Sequence, residues 1–397
     1  MNLIKLALAA EQMALAKDRS PVSVTPVRCV RRLHKETECD ICERICPAEA
    51  ITIGDQVRVD GERCIRCGLC LNRCPTGVFE GSDNVDKLLA CIDQIAEREQ
   101  MEITCSHHPD PTSGPGDTDG ALVGLGCLSA MGPSVYISLL ALGVERLTVR
   151  LDACAGCPVG AALQPHIVDA VQQAQAVMVA RGEPDRLRIM DQPPAESQPR
   201  PVYHASNPPL SRRGFLQFFT PQRRTTAADI LPPYAPQIDG DDSPPRERRR
   251  LVGALRLLDE APADHPLPAD QRYADMHVNA DCTACGVCAR ICPNGALLFE
   301  QGENEFWLGF VAANCTNCDL CTRYCDPQAL TVSGTPTVSR LTDRPALLRH
   351  DTLYHCKKCK VPYAGGENGG LCPTCAFRRD NPFGSRMPAN MKHITKK

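Results

Sequence analysis

The sequence is poor in aromatic residues and has no strong charge imbalance. Phenylalanine, tyrosine and tryptophan make up 4% of the 397 residues, with a single tryptophan, Trp307. Basic and acidic residues number 44 and 47, which gives a formal net charge of −3. The balanced charge gives no support for nucleic acid as a partner. The low aromatic content argues against one large aromatic core, so something else must stabilise parts of this fold.

Long apolar runs are also missing. The first twenty residues contain a short apolar stretch broken by charged residues, Glu11, Lys17, Asp18 and Arg19 among them. It is too short and too charged for a signal peptide or a membrane span. We expect an amphipathic packing helix there, rather than a membrane anchor. The twin-arginine pattern "LSRRGFLQFF" at 210–219 lies in mid-chain, where export signals do not occur. The sequence therefore predicts a cytoplasmic protein with no membrane span.

Cysteine is abundant, with 25 residues that mostly form C-x-x-C clusters. Disulfide scaffolds are usually short and secreted, whereas such clusters in a long chain indicate metal sites in a reducing compartment. A stretch with 12 prolines and the run "RERRR" separates the cysteine groups and is typical of an extended linker. We predict an N-terminal helix (1–28), a first cysteine-rich domain (29–90), a small α/β domain (91–191), a proline-rich linker (192–250), a second cysteine-rich domain (251–345) and a tail (346–397).

The stretch "CIRCGLCLNRCP" at 64–75 has the spacing C-x₂-C-x₂-C-x₃-C-P. Three cysteines so spaced can wrap one side of an iron–sulfur cubane, while the fourth ligates a neighbouring cluster. Proline then turns the chain out of the loop. Zinc takes its four ligands from two separated pairs and does not call for this arrangement, so the pattern favours iron–sulfur clusters.

The C-terminal cysteine group contains the pattern twice, as "CTACGVCARICP" and "CTNCDLCTRYCDP", around a predicted hairpin. This region resembles a bacterial dicluster ferredoxin. The resemblance implies two [4Fe-4S] clusters, one on Cys282, Cys285, Cys288 and Cys325, the other on Cys292, Cys315, Cys318 and Cys321. Asp326 follows Cys325 where the family has proline, a local change in the turn that removes no ligand.

The N-terminal group also resembles a dicluster ferredoxin, with a larger departure. The resemblance implies one complete cluster, on Cys46, Cys64, Cys67 and Cys70. The other has Cys39, Cys42 and Cys74 and lacks a fourth ligand, because Glu36 stands at the family's first cysteine position. We expect Cys29 to supply that ligand, and a three-iron cluster or ligation by Glu36 are the alternatives.

The middle segment reads as strands alternating with helices, which predicts a small α/β domain with a parallel sheet. Ligands in such sheets bind beyond the carboxyl ends of the strands. Four cysteines fall there: Cys105, Cys127, Cys154 and Cys157. We expect a fifth cluster, with zinc or a Cys154–Cys157 redox dithiol as alternatives. The layout loosely resembles small iron–sulfur domains of hydrogenase-linked and heterodisulfide-reductase-linked subunits.

The tail contains two C-x-x-C pairs, Cys356 with Cys359 and Cys372 with Cys375. Two such pairs make a tetrahedral S₄ site, and the segment resembles a zinc ribbon. We expect a structural zinc ion, with a rubredoxin-type iron as the alternative. These sets account for 24 of the 25 cysteines and leave Cys91, expected to be a buried free thiol.

The sequence therefore predicts an α+β protein with two ferredoxin-like dicluster units, a small α/β domain between them and a C-terminal zinc ribbon. It would hold four to five [4Fe-4S] clusters and one Zn or Fe ion. A chain of clusters without an evident substrate site indicates an electron-transfer subunit. The resemblance implies a catalytic oxidoreductase partner of molybdenum, tungsten or NiFe type and a redox carrier. A stand-alone thiol/disulfide reductase and a redox-sensing interaction protein are the alternative functions.

Overall fold

A computed structural model describes residues 22–33, 37–209, 244–269, 272–365 and 369–382. Residues 1–21 of the predicted N-terminal helix lie outside the described residues. Glu36 and the twin-arginine segment at 210–219 also lie outside them. Residues 22–28, assigned to that helix segment, contain instead a short strand and a 3₁₀ turn. The chain divides into two compact units, which are described separately: the described residues up to 209 together with Pro245–Ala263, and those from Asp264 onward.

The first unit begins with a small dicluster-type fold. It consists of β1 (Ser23–Val24), α1 (Val30–Leu33), α2 (Ile41–Arg44), β2 (Ile51–Ile53), β3 (Val57–Val59), α3 (Leu69–Arg73) and β4 (Phe79–Glu80). The predicted hairpin is present as the antiparallel pair β2–β3, and β1 pairs antiparallel with β4. The apolar core holds six buried side chains: Val22, Ile51, Val57, Leu71, Val78 and Phe79. So small a core needs additional cross-links to be stable.

A five-stranded parallel sheet forms the rest of the first unit. Its order is β11-β7-β5-β8-β9, from β5 (Gln100–Thr104), β7 (Gly120–Val123), β8 (Arg146–Arg150), β9 (Leu187–Met190) and β11 (Val202–His204). A minor antiparallel pair joins β6 (Ser113–Gly114) to β10 (Gln198–Pro199). The helices are α4 (Val85–Asp93), α5 (Pro133–Ala141) and α6 (Gly160–Ala180). All four residues of β7 are buried, as expected for a parallel strand that is covered on both faces.

The sheet extends further along the chain than predicted. We placed the end of the α/β domain at residue 191, but β11 lies beyond it and pairs with β7 through Val202 and Ala121. A three-residue strand inside a proline-rich stretch gives no periodic signal. It exists because β7 offers it a free parallel edge.

The arginine run is also not a linker. Helix α7 (Arg246–Leu257) contains it and packs on α5. The Glu247 carboxylate accepts hydrogen bonds from the backbone N–H and the hydroxyl of Ser134, at 2.7 and 2.8 Å. Arg250 pairs with Asp83 at 3.0 Å. The sequence-based assignment of 246–250 was wrong because the acidic partner of Arg250 lies far away in the chain.

The second unit contains antiparallel strand pairs and short helices similar to those of the first small fold. Strands β12 (Asp275–Val278) and β15 (Leu330–Gly334) pair antiparallel, and β13 (Leu297–Gln301), β14 (Glu305–Phe310) and β16 (Ala346–Thr352) form a sheet in that order. The helices are α8 (Val287–Ile291), α9 (Leu320–Arg323) and α10 (Val338–Thr342). The tail adds β17 (Tyr354–His355), β18 (Pro362–Tyr363) and α11 (Pro373–Asp380). Since β16 pairs with β14, the domain continues past the predicted boundary at 345.

Within the part of the chain that the structure describes, no helix combines the length and the apolar character needed to traverse a lipid bilayer.

Glu247→Ala should lower the free energy of unfolding of the first unit by about 2–3 kcal/mol, because a charged acceptor of two hydrogen bonds is lost. Thermal unfolding followed by far-ultraviolet circular dichroism measures the effect. Fluorescence of Trp307, which lies in the second unit, serves as an internal control. Glu260→Ala, at an exposed position, is the matched variant. Equal stability of the two variants would contradict the proposed contact.

Candidate iron–sulfur and metal centres

Three cysteine loops share one backbone conformation. In each C-x-x-C-x-x-C loop, the residues on both sides of the central cysteine have positive φ: Arg66 and Gly68, Ala284 and Gly286, Asn317 and Asp319. Left-handed residues cost about 1–2 kcal/mol each when they are not glycine. Such residues turn successive backbone N–H groups toward one concave side and create a hollow that binds anions. A negatively charged cluster on the three thiolates suits this hollow.

The same turn follows four cysteines, namely Cys46 and one cysteine after each of the three loops. Three residues after Cys46, Cys74, Cys292 and Cys325, the chain again has positive φ, and that residue donates its N–H to the cysteine carbonyl. In three cases the next N–H donates to the sulfur, at 3.2–3.3 Å. Gln328 makes the same turn after Cys325, at 2.9 Å, although proline has moved by one position. The Asp326 departure therefore leaves the turn intact.

In the second unit, cysteines from different loops converge on two cavities. Cys282, Cys285, Cys288 and Cys325 line one small cavity, and Cys292, Cys315, Cys318 and Cys321 line another. Burial raises the pKa of Cys288 to about 12, and the charges of Cys285, Cys282 and Cys325 contribute. Burial and the nearby Cys292 and Cys315 likewise raise the pKa of Cys318 to about 11. Each set combines three cysteines of one loop with one from the other.

In the first unit, Cys46 lies with Cys64, Cys67 and Cys70. Burial raises the pKa of Cys70 to about 12, followed by the charges of Cys67, Cys64 and Cys46. This grouping supports the set of four that the ferredoxin resemblance implies.

A small cavity of the N-terminal part is lined by Cys29, Cys39, Cys42 and Cys74. Burial raises the pKa of Cys42 to about 12, and Cys74, Cys39 and Cys29 add to the shift. Cys29 reaches this place because β1 pairs with β4, and because Arg28 Nε donates to the Thr76 carbonyl at 2.5 Å. Four thiols thus meet here without any contribution from position 36.

The four middle cysteines meet at one edge of the parallel sheet. Cys105, Cys127, Cys154 and Cys157 line a small cavity at the carboxyl ends of β5, β7 and β8. The chain passes from β5 to β7 on one side of β5 and then crosses to β8 on its other side. The carboxyl edge at these strands is therefore a topological switch point. Burial raises the pKa of Cys154 to about 11, followed by the charges of Cys105, Cys127 and Cys157.

A buried ionic network borders this cavity, and sequence reasoning missed it. Arg150 lines the cavity and bonds Asp152 through Nε at 3.0 Å. Arg150 also lies 3.7 Å from the carboxylate of the fully buried Glu102. Glu102 forms an ion pair with Arg200 at 2.5 Å. His108 bonds the same Asp152 at 3.1 Å. Charged residues within the strands "QMEIT" and "RLTVR" were the available signal, since parallel strands are otherwise apolar.

Tyr136 was also missed. Its side chain is fully buried in α5, and its hydroxyl has no hydrogen-bond partner among the described residues. Burial raises its pKa, and the charge of Cys127 adds to the shift, while Arg73 opposes it. An unsatisfied buried hydroxyl costs about 1–3 kcal/mol. The charge of Cys127 acts on this hydroxyl, so a group bound to Cys127 is a candidate for its missing acceptor.

The four tail cysteines form a compact site. The sulfurs of Cys356, Cys359, Cys372 and Cys375 all lie within 4.8 Å of one another. The Cys359 and Cys372 sulfurs are 3.7 Å apart, close to the roughly 3.8 Å spacing of a tetrahedron with Zn–S bonds of about 2.3 Å. Backbone amides of Cys359, Cys372 and Lys358 outweigh burial and lower the pKa of Cys356 to about 6. These residues could hold one tetrahedral metal ion.

Cys91 belongs to none of these sets. It is fully buried in α4, and its sulfur lies 3.7 Å from the carbonyl of His204.

Comparison with known proteins identifies two iron–sulfur regions. The 4Fe-4S dicluster domain family matches residues 37–78, and the 4Fe-4S binding domain family matches residues 277–298. An uncharacterized ferredoxin of Methanocaldococcus jannaschii is 43% identical over 54 residues, 13% of this chain and 36% of its own. Ferredoxin Fdx8 of Sorangium cellulosum is 36% identical over 78 residues, 19% of this chain and 70% of its own. This chain thus spans about a third of the first relative and over two thirds of the second.

Cys29→Ala should remove one cluster or convert it to a form with fewer irons, a loss of up to about four irons per chain. The reason is that Cys29 completes the set with Cys39, Cys42 and Cys74. Iron analysis and spin resonance of the anaerobic protein measure this loss. Cys91→Ala is the matched control and should leave the iron content unchanged. Equal iron in the two variants would remove Cys29 from the set.

Tyr136→Phe should lower the reduction potential of one cluster, because a hydrogen bond to sulfur stabilises the reduced, more negative form. One hydrogen bond worth about 1.4 kcal/mol corresponds to about 60 mV for one electron. A spin-resonance redox titration measures the shift. Tyr203→Phe, at a half-buried position of β11, is the control. Unchanged potentials in Tyr136→Phe would show that its hydroxyl does not reach the cluster.

Proposed function

Because this chain belongs to the ferredoxin family, we propose that it relays single electrons between a catalytic oxidoreductase and a second redox carrier. Iron–sulfur clusters on the five cysteine sets described above would supply one-electron oxidation and reduction. The partner we propose is an oxidoreductase of molybdenum, tungsten or NiFe type, as the ferredoxin resemblance implies. We further propose that the four tail cysteines hold a structural zinc ion.

The observation that carries this proposal is a direct contact between two cysteine sites of the first unit. The Ser129 hydroxyl donates to the Cys67 carbonyl at 2.9 Å, and the Asn72 amide donates to the Ser129 carbonyl at 2.9 Å. Ser129 follows Cys127 by two residues. A side chain at Gly68 would place its Cβ 2.6 Å from the Cβ of Ala130, so glycine permits this close approach.

The charge of a middle-site thiol also acts on Cys67. Burial raises the pKa of Cys67, and the charge of Cys127 is among the causes, beside those of Cys46 and Cys64. We infer that the site containing Cys46 and Cys67 exchanges electrons with the middle site.

A second set of polar contacts links the elements that carry these two sites. Arg73, at the end of α3, forms an ion pair with Asp169 and donates to the His166 carbonyl at 2.5 Å. Both partners lie on α6, which starts three residues after Cys157. The loop with Cys67 and the helix behind Cys157 are therefore held together from two sides, as a fixed electron path requires.

A stand-alone thiol/disulfide reductase would need a reactive Cys154–Cys157 pair. Both thiols lie instead with Cys105 and Cys127 around one cavity, which supports a role as ligands. Reductase activity is therefore an outcome for the experiment to exclude.

The test is stepwise anaerobic reduction of the full chain with dithionite. We expect uptake of roughly four to five electrons per chain, one per cubane, and no turnover of disulfide substrates. Turnover by the isolated chain would favour a reductase, and a chain that takes up no electrons would end the proposal.

Ser129→Ala should weaken the magnetic coupling between the middle cluster and its N-terminal neighbour, since the bond to Cys67 is lost. Pulsed spin resonance measures the coupling at unchanged iron content. Ser138→Ala is the control, because its hydroxyl bonds only within α5, to the Ser134 carbonyl at 2.7 Å. Identical coupling in both variants would contradict the path through Cys67.

A further inference from the structure

The tail differs from the rest of the chain in charge. Residues 346–397 contain ten lysines and arginines against three acidic residues, whereas the preceding 345 residues contain 34 against 44. A basic segment on an otherwise acidic protein concentrates a positive field in one place. Such a field attracts partners of opposite charge and speeds their association.

The first knuckle of the tail presents these charges at its surface. Lys357, Lys358 and Lys360 are exposed, and so is the neighbouring Val361, at 54%. Two hydrogen bonds close the knuckle, from Cys356 N–H to the Val361 carbonyl at 3.1 Å and from Lys360 N–H to the Cys356 carbonyl at 2.9 Å. The charges are therefore carried by a rigid turn. We refer to residues 357–361 as the basic knuckle.

Aromatic surface adjoins this turn. The Tyr354 side chain is 56% exposed and lies 6.2 Å from the ring of the buried Tyr363, centroid to centroid. Exposed apolar side chains among cations are typical of protein-binding surfaces, in which an apolar centre is surrounded by a charged rim.

The tail also touches a cysteine loop of the second unit. Ala364 N–H donates to the Thr283 carbonyl at 3.1 Å, and Thr283 lies between Cys282 and Cys285. Of all the cysteines in the proposed cluster sites, Cys285 alone is exposed. The tail thus rests on the loop whose central cysteine faces solvent.

We propose that the basic knuckle, with Tyr354 and Val361, docks an acidic one-electron carrier protein beside the site of Cys282, Cys285, Cys288 and Cys325. One electron passes from the reduced carrier to this site, so the carrier is oxidised and the chain reduced by one electron, with no bond made or broken. The proposal rests on the electron-transfer function proposed above. Nucleic acid would use the cations but not the exposed cysteine or the apolar side chains, so we favour a protein.

The experiment compares the wild-type full chain with Lys357→Glu/Lys358→Glu/Lys360→Glu. The probe is an acidic plant-type [2Fe-2S] ferredoxin, reduced beforehand and mixed by stopped flow. We expect the bimolecular rate constant of the wild type to fall with added salt, and that of the variant to be about tenfold lower at low salt, since electrostatic steering changes rates by at least that factor.

Two control variants accompany it. Arg58→Glu/Lys87→Glu/Arg188→Glu makes the same charge change at exposed positions of the first unit and should stay within about twofold of the wild type. Lys357→Arg/Lys358→Arg/Lys360→Arg keeps the charge and should keep the rate. Zinc analysis verifies that the tail site survives in each variant.

Equal rates in the wild type and the glutamate variant would overturn the docking proposal. So would tight, knuckle-dependent binding of a DNA duplex combined with unchanged electron exchange. Direct reduction by dithionite distinguishes failure of the docking proposal from failure of the proposed electron-transfer function. If dithionite does not reduce the wild type, the electron-transfer function itself is refuted. If it succeeds while the carrier rates are equal, only the docking surface is refuted.

Discussion

The structure depends on the convergence of thiols from separate segments of the chain. Each set in the two dicluster folds takes cysteines from a loop and one from elsewhere, so no set exists until the fold has closed. One apolar cluster of the first dicluster fold consists of six buried residues. Buried thiols that face one another, such as Cys42 and Cys74, have their ionisation opposed by burial and by mutual repulsion. A bound positive iron core reverses that repulsion and links the segments, as metals do in small domains.

The α/β part of the first unit positions its cysteines by a regular sheet and its helices. Its parallel sheet is buried on both faces, and helices fix the carboxyl edge where the middle cysteines lie. Helix α7 returns from far along the chain and binds the start of α5 through Glu247 and Ser134. The helix α5 so anchored carries Tyr136, whose buried hydroxyl is affected by the charge of Cys127. One compact unit therefore contains both the middle cysteines and the contact to Cys67.

Sequence reasoning identified the two iron–sulfur regions that the family models also match, because their signal is local. The spacing of Cys64, Cys67 and Cys70 reflects a loop that must wrap one object, and the structure gives that loop the same backbone as its two counterparts. The prediction that Cys29 joins Cys39, Cys42 and Cys74 required only that a lone cysteine precede an incomplete set. The structure brings these thiols together, and direct metal analysis remains the test of ligation.

What sequence reasoning missed depends on distant partners. The arginines of α7 look solvated until Asp83 is placed beside Arg250, and β11 is too short to show a period. Tyr136 lies in a uniformly apolar helix, "PSVYISLLA", where nothing marks its hydroxyl as unpaired. Strand β16 was assigned to the tail because no local sequence pattern indicates its pairing with β14. In each case a contact between distant segments, rather than local propensity, decides the structure.

The most direct test is combined iron, sulfide and zinc analysis of the anaerobically purified chain, with Mössbauer spectroscopy of the iron. Converging thiolate sets predict roughly sixteen to twenty irons per chain in cubanes, with matching inorganic sulfide, and one zinc ion. A colourless, folded protein that contains zinc as its only metal would contradict the account.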